Sequence, residues 1–171
     1  MRVGFTVPPR KKRDIFDIAD GFRERFRPLM GASARVPIDM IYETLHLVLP
    51  GFRFEVCDHA ELGADHGQTV PEKLLIKLRE DVYIGMCKGV GRDRFTGAHE
   101  LGHLFLHQPT GFARSAPNAS TPIYMNSEWQ ADNFASALLI EEQRLQRCRS
   151  IEEVQEVFGV SEAAAKARFR K

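Results

Sequence analysis

His99, Glu100 and His103 spell His-Glu-Leu-Gly-His inside the run from Arg94 to His107, and this pentapeptide restricts the architecture more than any other feature of the chain. On a helix, residues four apart lie about 40° apart around the axis and one turn along it, so both imidazoles can converge on one metal ion. Glu100 then lies beside that pair, where a carboxylate can hold a water and take its proton, the chemistry by which such helices hydrolyse amides. Phe95, Leu101, Leu104, Phe105 and Leu106 give the segment a broad apolar surface, and Asp93 is a suitable N-cap. The segment therefore reads as a buried helix, in which imidazole and carboxylate groups call for partners.

Two histidines are one ligand short of the three that catalytic zinc usually takes from protein. His107 lies two turns from His99, too far along the axis for one ion to reach all three, and reads as structural. Glu128 is the better candidate. It opens the next expected helix, with Asp132 one turn later on the same face. In that order the first carboxylate binds metal, while the second orients a ligating imidazole through its other ring nitrogen.

The remaining pattern places these helices in an α+β chain. Ile15, Ile18, Ala19, Phe22 and Phe26 share one face of a helix over residues 13–27, and Pro37 opens a second helix reaching Leu47. Phe52, Phe54 and Val56 alternate with charged residues, as a strand does; Leu74–Leu78 and Val82–Cys87 read as two more, joined by a tight turn. Residues 58–71 and 109–126 read as loops. Ser127 is the expected N-cap of the Glu128 helix, and Ile151–Phe169 divides into two short amphipathic helices at Gly159-Val160-Ser161.

Composition narrows the setting. A chain of 171 residues can hold one domain with a small helical appendage. No apolar run approaches the roughly 18 residues of a membrane span, and the first residues carry no apolar signal stretch, so a cytoplasmic protein without a membrane partner is expected. Cys57, Cys87 and Cys148 are widely spaced and read as reduced thiols. Net charge is only +1, yet within residues 1–35 nine bases stand against four acids.

Arg94-Phe95-Thr96 running into His99–Leu104 and ending at His107, followed by Glu128, Ala131-Asp132, Phe134-Ala135 and Leu138-Leu139, resembles the ImmA/IrrE family of bacterial and prophage zinc metallopeptidases. The start at Val36-Pro37-Ile38-Asp39 and the terminal Val157–Ser161 segment resemble it too, so that the likeness spans residues 36–171. Two departures stand out: Ile140-Glu141-Glu142 occupies a place where the family often has proline, and Asp132 one where it often has Asn.

The resemblance and the residues together lead to an α+β, zincin-like expectation: a small mixed or antiparallel sheet beside two central helices, with a C-terminal helical pair. The expected division is a basic helical segment over 1–35, a peptidase core over 36–150 and the helical pair over 151–171. One zinc ion held by His99, His103 and Glu128 would polarise a scissile carbonyl, Glu100 would serve as general base, and Asp132 would steady a ligand. Val82–Met86 is the expected edge strand for an extended peptide, and Tyr83, Tyr124 and His46 are candidate oxyanion donors. Cys87 is a candidate latency thiol. The implied substrate is a helix-turn-helix transcriptional repressor encoded nearby, whose cleavage would release a stress, prophage or phage-defence operon. Rival readings are a non-proteolytic metal-binding regulator and a DNA-binding protein using residues 151–169. The basic N-terminal excess, Arg10–Arg13 with Arg23, Arg25 and Arg27 and with Phe5 or Phe16 to stack on bases, suggests single-stranded DNA as an activator.

Overall fold

The structure is a computed structural model and describes residues 4–108, 116 and 121–169. In chain order its elements are α1 (Lys12–Arg25), α2 (Arg27–Met30), α3 (Ile38–Thr44), β1 (Arg53–Cys57), α4 (His59–Leu62), β2 (Gly67–Val70) and β3 (Leu75–Arg79). They continue with α5 (Glu80–Cys87), α6 (Gly91–Leu106), α7 (Ser127–Leu139), α8 (Glu142–Leu145), α9 (Ile151–Phe158) and α10 (Glu162–Arg168). Most of the loop expected over residues 109–126 lies outside the described residues.

β3 is the central strand, parallel to β1 and antiparallel to β2, which makes the expected small sheet a mixed one. Leu75, Ile76 and Leu78 of β3 are buried where the strand meets α6, as a central strand's side chains must be. α6 packs against the sheet and against α7, and α1 packs in turn on α7. Ile15 and Ala19 of α1, Leu101 and Leu104 of α6, and Phe134 and Leu138 of α7 all belong to one continuous core.

Two expectations about the sheet are corrected. Residues 82–87 are not a strand but most of α5. Val82, Ile84 and Met86 alternate with other residues as a strand's would, yet Val82, Gly85 and Met86 are the buried ones, a spacing of three and four that belongs to a helix. The third strand is instead Gly67–Val70, inside the stretch expected to be a loop. Helix starts shift as well: α6 begins at Gly91, with Asp93 buried in its first turn, and Asn126 rather than Ser127 caps α7 by accepting from the Trp129 backbone.

Basic side chains tie the ends of the chain to this core. Arg23, 2% exposed, donates to the carbonyls of Ala137 and Leu138, where α7 has no further helical donors to offer them. It is therefore not available to a nucleic-acid backbone, and Phe16 is covered by Lys12 and Arg168 at 5.2 and 4.6 Å from its ring centre. Arg94, buried in α6, donates to the carbonyls of Val36, Phe158 and Gly159 and so clips the α9–α10 pair to the motif helix. The expected division at Gly159-Val160-Ser161 is present, and the Ser161 side chain caps α10 by accepting from the Ala164 backbone. Ile140-Glu141-Glu142, helical in character by sequence, does not extend α7, which ends at Leu139; Ile140 is extended, and Glu142 opens the separate short α8.

Candidate metal centre

Glu128 reaches the histidines because α6 and α7 approach closely. A Cβ on Gly102 would stand 3.1 Å from both Cα and O of Ala131, so any larger residue would push the two backbones apart by a few tenths of an ångström at this crossing. Glu128 lies one turn before Ala131 and His103 directly after Gly102, which sets them facing each other. Oε2 of Glu128 is 3.4 Å from His99 Nε2, Oε1 is 3.3 Å from His103 Nε2, and the two Nε2 atoms are 2.9 Å apart.

One ligand atom from each of His99, His103 and Glu128 lies within 4.8 Å of the others. A tetrahedral zinc with ligands about 2.0–2.1 Å away holds its donor atoms about 3.3–3.4 Å apart, so the two carboxylate distances match and the imidazole pair is slightly closer. The donor set, two imidazoles and one carboxylate with a fourth direction open, suits catalytic rather than structural zinc.

Each imidazole has a partner on its far nitrogen. His99 Nδ1 is 2.8 Å from Asp132 Oδ1. His103 Nδ1 is 3.0 Å from His107 Nδ1, and His107 Nε2 is 3.3 Å from Gln130 Oε1. Burial disfavours charge on His99, but hydrogen bonds to Asp132 and Glu128 and the nearby Glu100 outweigh it and raise its pKa to about 9. Burial likewise resists charge on Glu128, and the His103 and His99 imidazoles more than offset it, holding the carboxyl well below the usual range. The site thus attracts a cation. His107 is the reverse case: burial first, then the neighbouring His103, push its pKa down to about 3.

Glu100, 1% exposed, lies beneath the outer strand β2. The Thr69 hydroxyl donates to Glu100 Oε2 at 2.7 Å, and a Cβ on Gly67 would come within 2.9 Å of Glu100 Cγ. A cleft of about 340 Å³ opens above, lined by Phe5, Asp65, Gly67, Gln68, Thr69 and Pro71 together with Glu100, His103 and Glu128. Phe5 contributes to the lining from the N-terminal segment. Its backbone pairs with Ser127, and its ring stands 5.7 Å from that of His107.

The structure brings together His99, Glu100, His103, Glu128 and Asp132. It leaves Cys87 exposed at the C-terminal end of α5, outside the cleft lining. The candidate oxyanion donors are also elsewhere: the Tyr83 hydroxyl donates to Glu43, His46 lines a separate hollow, and Tyr124 faces solvent with 46% exposure. Thr69 and Gln130 carry no signal of a site role in the sequence, and Phe5, expected to stack on bases, instead lines the cleft beside His107. Thr69 had a faint strand signal in the β-favouring Gln68-Thr69-Val70, while Phe5 and Gln130 enter through contacts more than a hundred residues apart in sequence, between the N-terminal segment and α7.

The family model for peptidase M78, described as the IrrE N-terminal-like domain, matches residues 56–170, a range containing all five clustered residues. The chain belongs to this family. Among solved structures, this peptidase M78 protein shares its fold with a Mycobacterium tuberculosis transcriptional regulator at a TM-score of 0.55 and 15% identity, covering 92% of this chain and 50% of that one. It therefore spans half the length of that regulator. No curated protein matches. Among the described residues of this M78 domain, no helix is long and apolar enough to cross a membrane.

Proposed function

We propose that this protein is a zinc-dependent endopeptidase that cuts a partner protein, of which a helix-turn-helix repressor is the favoured class. The observation carrying this reading is the convergence of two imidazoles and a carboxylate on one point of a cleft whose floor is Glu100. His99, His103 and Glu128 would hold the zinc, which when bound supplies Lewis-acid polarisation of a carbonyl and acidifies water. Glu100 takes a proton from water at its carboxylate, with Oε2 steadied by Thr69, and returns it to the leaving amine. Asp132 and His107 keep the two imidazoles turned toward the metal.

The substrate's path follows from the corrected sheet. Residues 82–86 are helical, so the peptide-binding strand is assigned to β2, the outer strand nearest Glu100. An extended segment added alongside β2 would run between it and Phe5, with its carbonyls above Glu100. Support for a regulatory substrate is the fold shared with a protein named as a transcriptional regulator. The test incubates the purified chain with a helix-turn-helix repressor drawn from its genetic neighbourhood, with and without a zinc chelator, and maps fragments by intact mass. One chelator-sensitive cut in the repressor is expected; a repressor left whole at equimolar enzyme contradicts the assignment.

A further inference from the structure

We infer that Gln130 is a positioning residue which, acting through His107, sets the tautomer in which His103 meets its metal, an inference that rests on the zinc reading above. Gln130 is fully buried on α7, and its Nε2 lies 2.9 Å from the Pro8 carbonyl and 2.8 Å from the Tyr124 carbonyl. Carbonyls only accept, so the amide must present its NH2 group to these two and its oxygen to His107. That oxygen also only accepts. His107 Nε2, 3.3 Å away, must then carry the hydrogen.

His107 is 3% exposed, and burial favours the uncharged ring; with its one N–H at Nε2, its Nδ1 is a lone pair. It faces His103 Nδ1 at 3.0 Å. For this contact to be a hydrogen bond the proton must be on His103 Nδ1, and in the ring's metal-binding form that leaves Nε2 as the lone pair aimed at the ligand group with Glu128. Were the Gln130 amide turned over, its NH2 would confront any His107 Nε2–H and both backbone carbonyls would face an oxygen; the amide is thus fixed by groups that only accept, and the two rings take their tautomers from it.

The origin of the chain is the segment Gly4–Arg10, which pairs with residues 124–127 through Val7 to Met125, Arg10 to Tyr124 and Ser127 to Phe5 backbone bonds. Seating this segment supplies the Pro8 carbonyl. The same segment carries Phe5 into the cleft, so one structural unit both shapes a wall and commits His103 to its ligating form.

The experiment uses the full chain, metal-free, with nitrogen-isotope-labelled histidine, and reads long-range proton–nitrogen couplings at mildly alkaline pH. His103 should be protonated on Nδ1 and His107 on Nε2. Gln130→Met, close in volume and without polar atoms, should give mixed tautomers at both rings and weaken zinc, measured by competition with a chromophoric chelator, by about 10- to 100-fold. Wild-type His103 protonated on Nε2 overturns the inference, as does a Gln130→Met protein with unchanged tautomers and unchanged zinc affinity. Should that variant not fold, the wild-type spectrum decides alone. Wild-type protein showing these tautomers but no zinc affinity supports the hydrogen-bond chain and overturns the metal reading instead.

Discussion

The far nitrogen of His99 is held by a carboxylate, Asp132, whose side chain is 60% exposed beside a hollow of about 440 Å³ between α1, α6, α7 and α10. That of His103 is held by a neutral ring, His107, and behind it a neutral amide, both buried. The two supports perform one task in different surroundings. At the surface a charge can remain ionised and still order an imidazole; in the interior an ionised carboxylate would carry a desolvation cost that a chain of neutral groups avoids. The lesson is that an outer support is chosen by its solvent access as much as by the ligand it serves.

The largest effect should come from removing what both supports serve. Glu128→Ala should abolish measurable zinc retention after dialysis, whereas Asp132→Ala should cost only about 10- to 100-fold in zinc affinity. If Asp132→Ala proves the more damaging, the two carboxylates have been assigned the wrong way round.

The supports should also differ in the sign of their pH dependence in metal-free protein. His107 has a folded pKa of about 3 against an ordinary 6.5, so between these values the unfolded chain binds a proton that the folded one refuses. Its penalty is absent above 6.5 and grows as pH falls, on the order of 2 kcal/mol by about pH 5. His99 runs the other way. Burial works against its charge, but Asp132 and Glu128 raise its pKa to about 9, so its stabilisation is complete below 6.5 and is lost as pH rises through about 9. Denaturation midpoints across pH should show both limbs; His107→Gln should flatten the acid limb and Asp132→Asn the alkaline one. Equal effects of the two variants on both limbs would erase the distinction.

Smaller effects bear on the cleft itself. Thr69→Val removes one hydrogen bond to a charged group, worth about 1.5–3 kcal/mol, and should lower kcat by about tenfold or more with zinc content unchanged. A kcat equal to wild type would mean that Glu100 needs no such steadying. Cys87→Ser should change neither zinc content nor basal activity, because the thiol is exposed away from the cleft; a rise in basal activity would show that it reaches the metal after all.

What could be read from residues alone follows the range of the forces involved. His99, Glu100 and His103 share one helical turn, and Glu128 and Asp132 another, so local spacing discloses both faces. β2 was hidden because a four-residue segment opening with glycine has little strand character until β3 pairs with it and Glu100 packs beneath it. α5 was misread because apolar residues fill both phases of an alternating pattern, and only packing selects the face that is buried. His107 stands behind His103 rather than in the ligand cluster, and its contacts run on to Gln130 and Pro8, which no spacing rule connects.

The most direct test of the account is Glu100→Gln, with zinc content and cleavage of the partner protein measured on the same preparation. An amide fills the carboxylate's place without accepting water's proton. One zinc per chain with cleavage abolished is the predicted result; one zinc per chain with cleavage undiminished would contradict the role given to Glu100 and, with it, the mechanism proposed for this cleft.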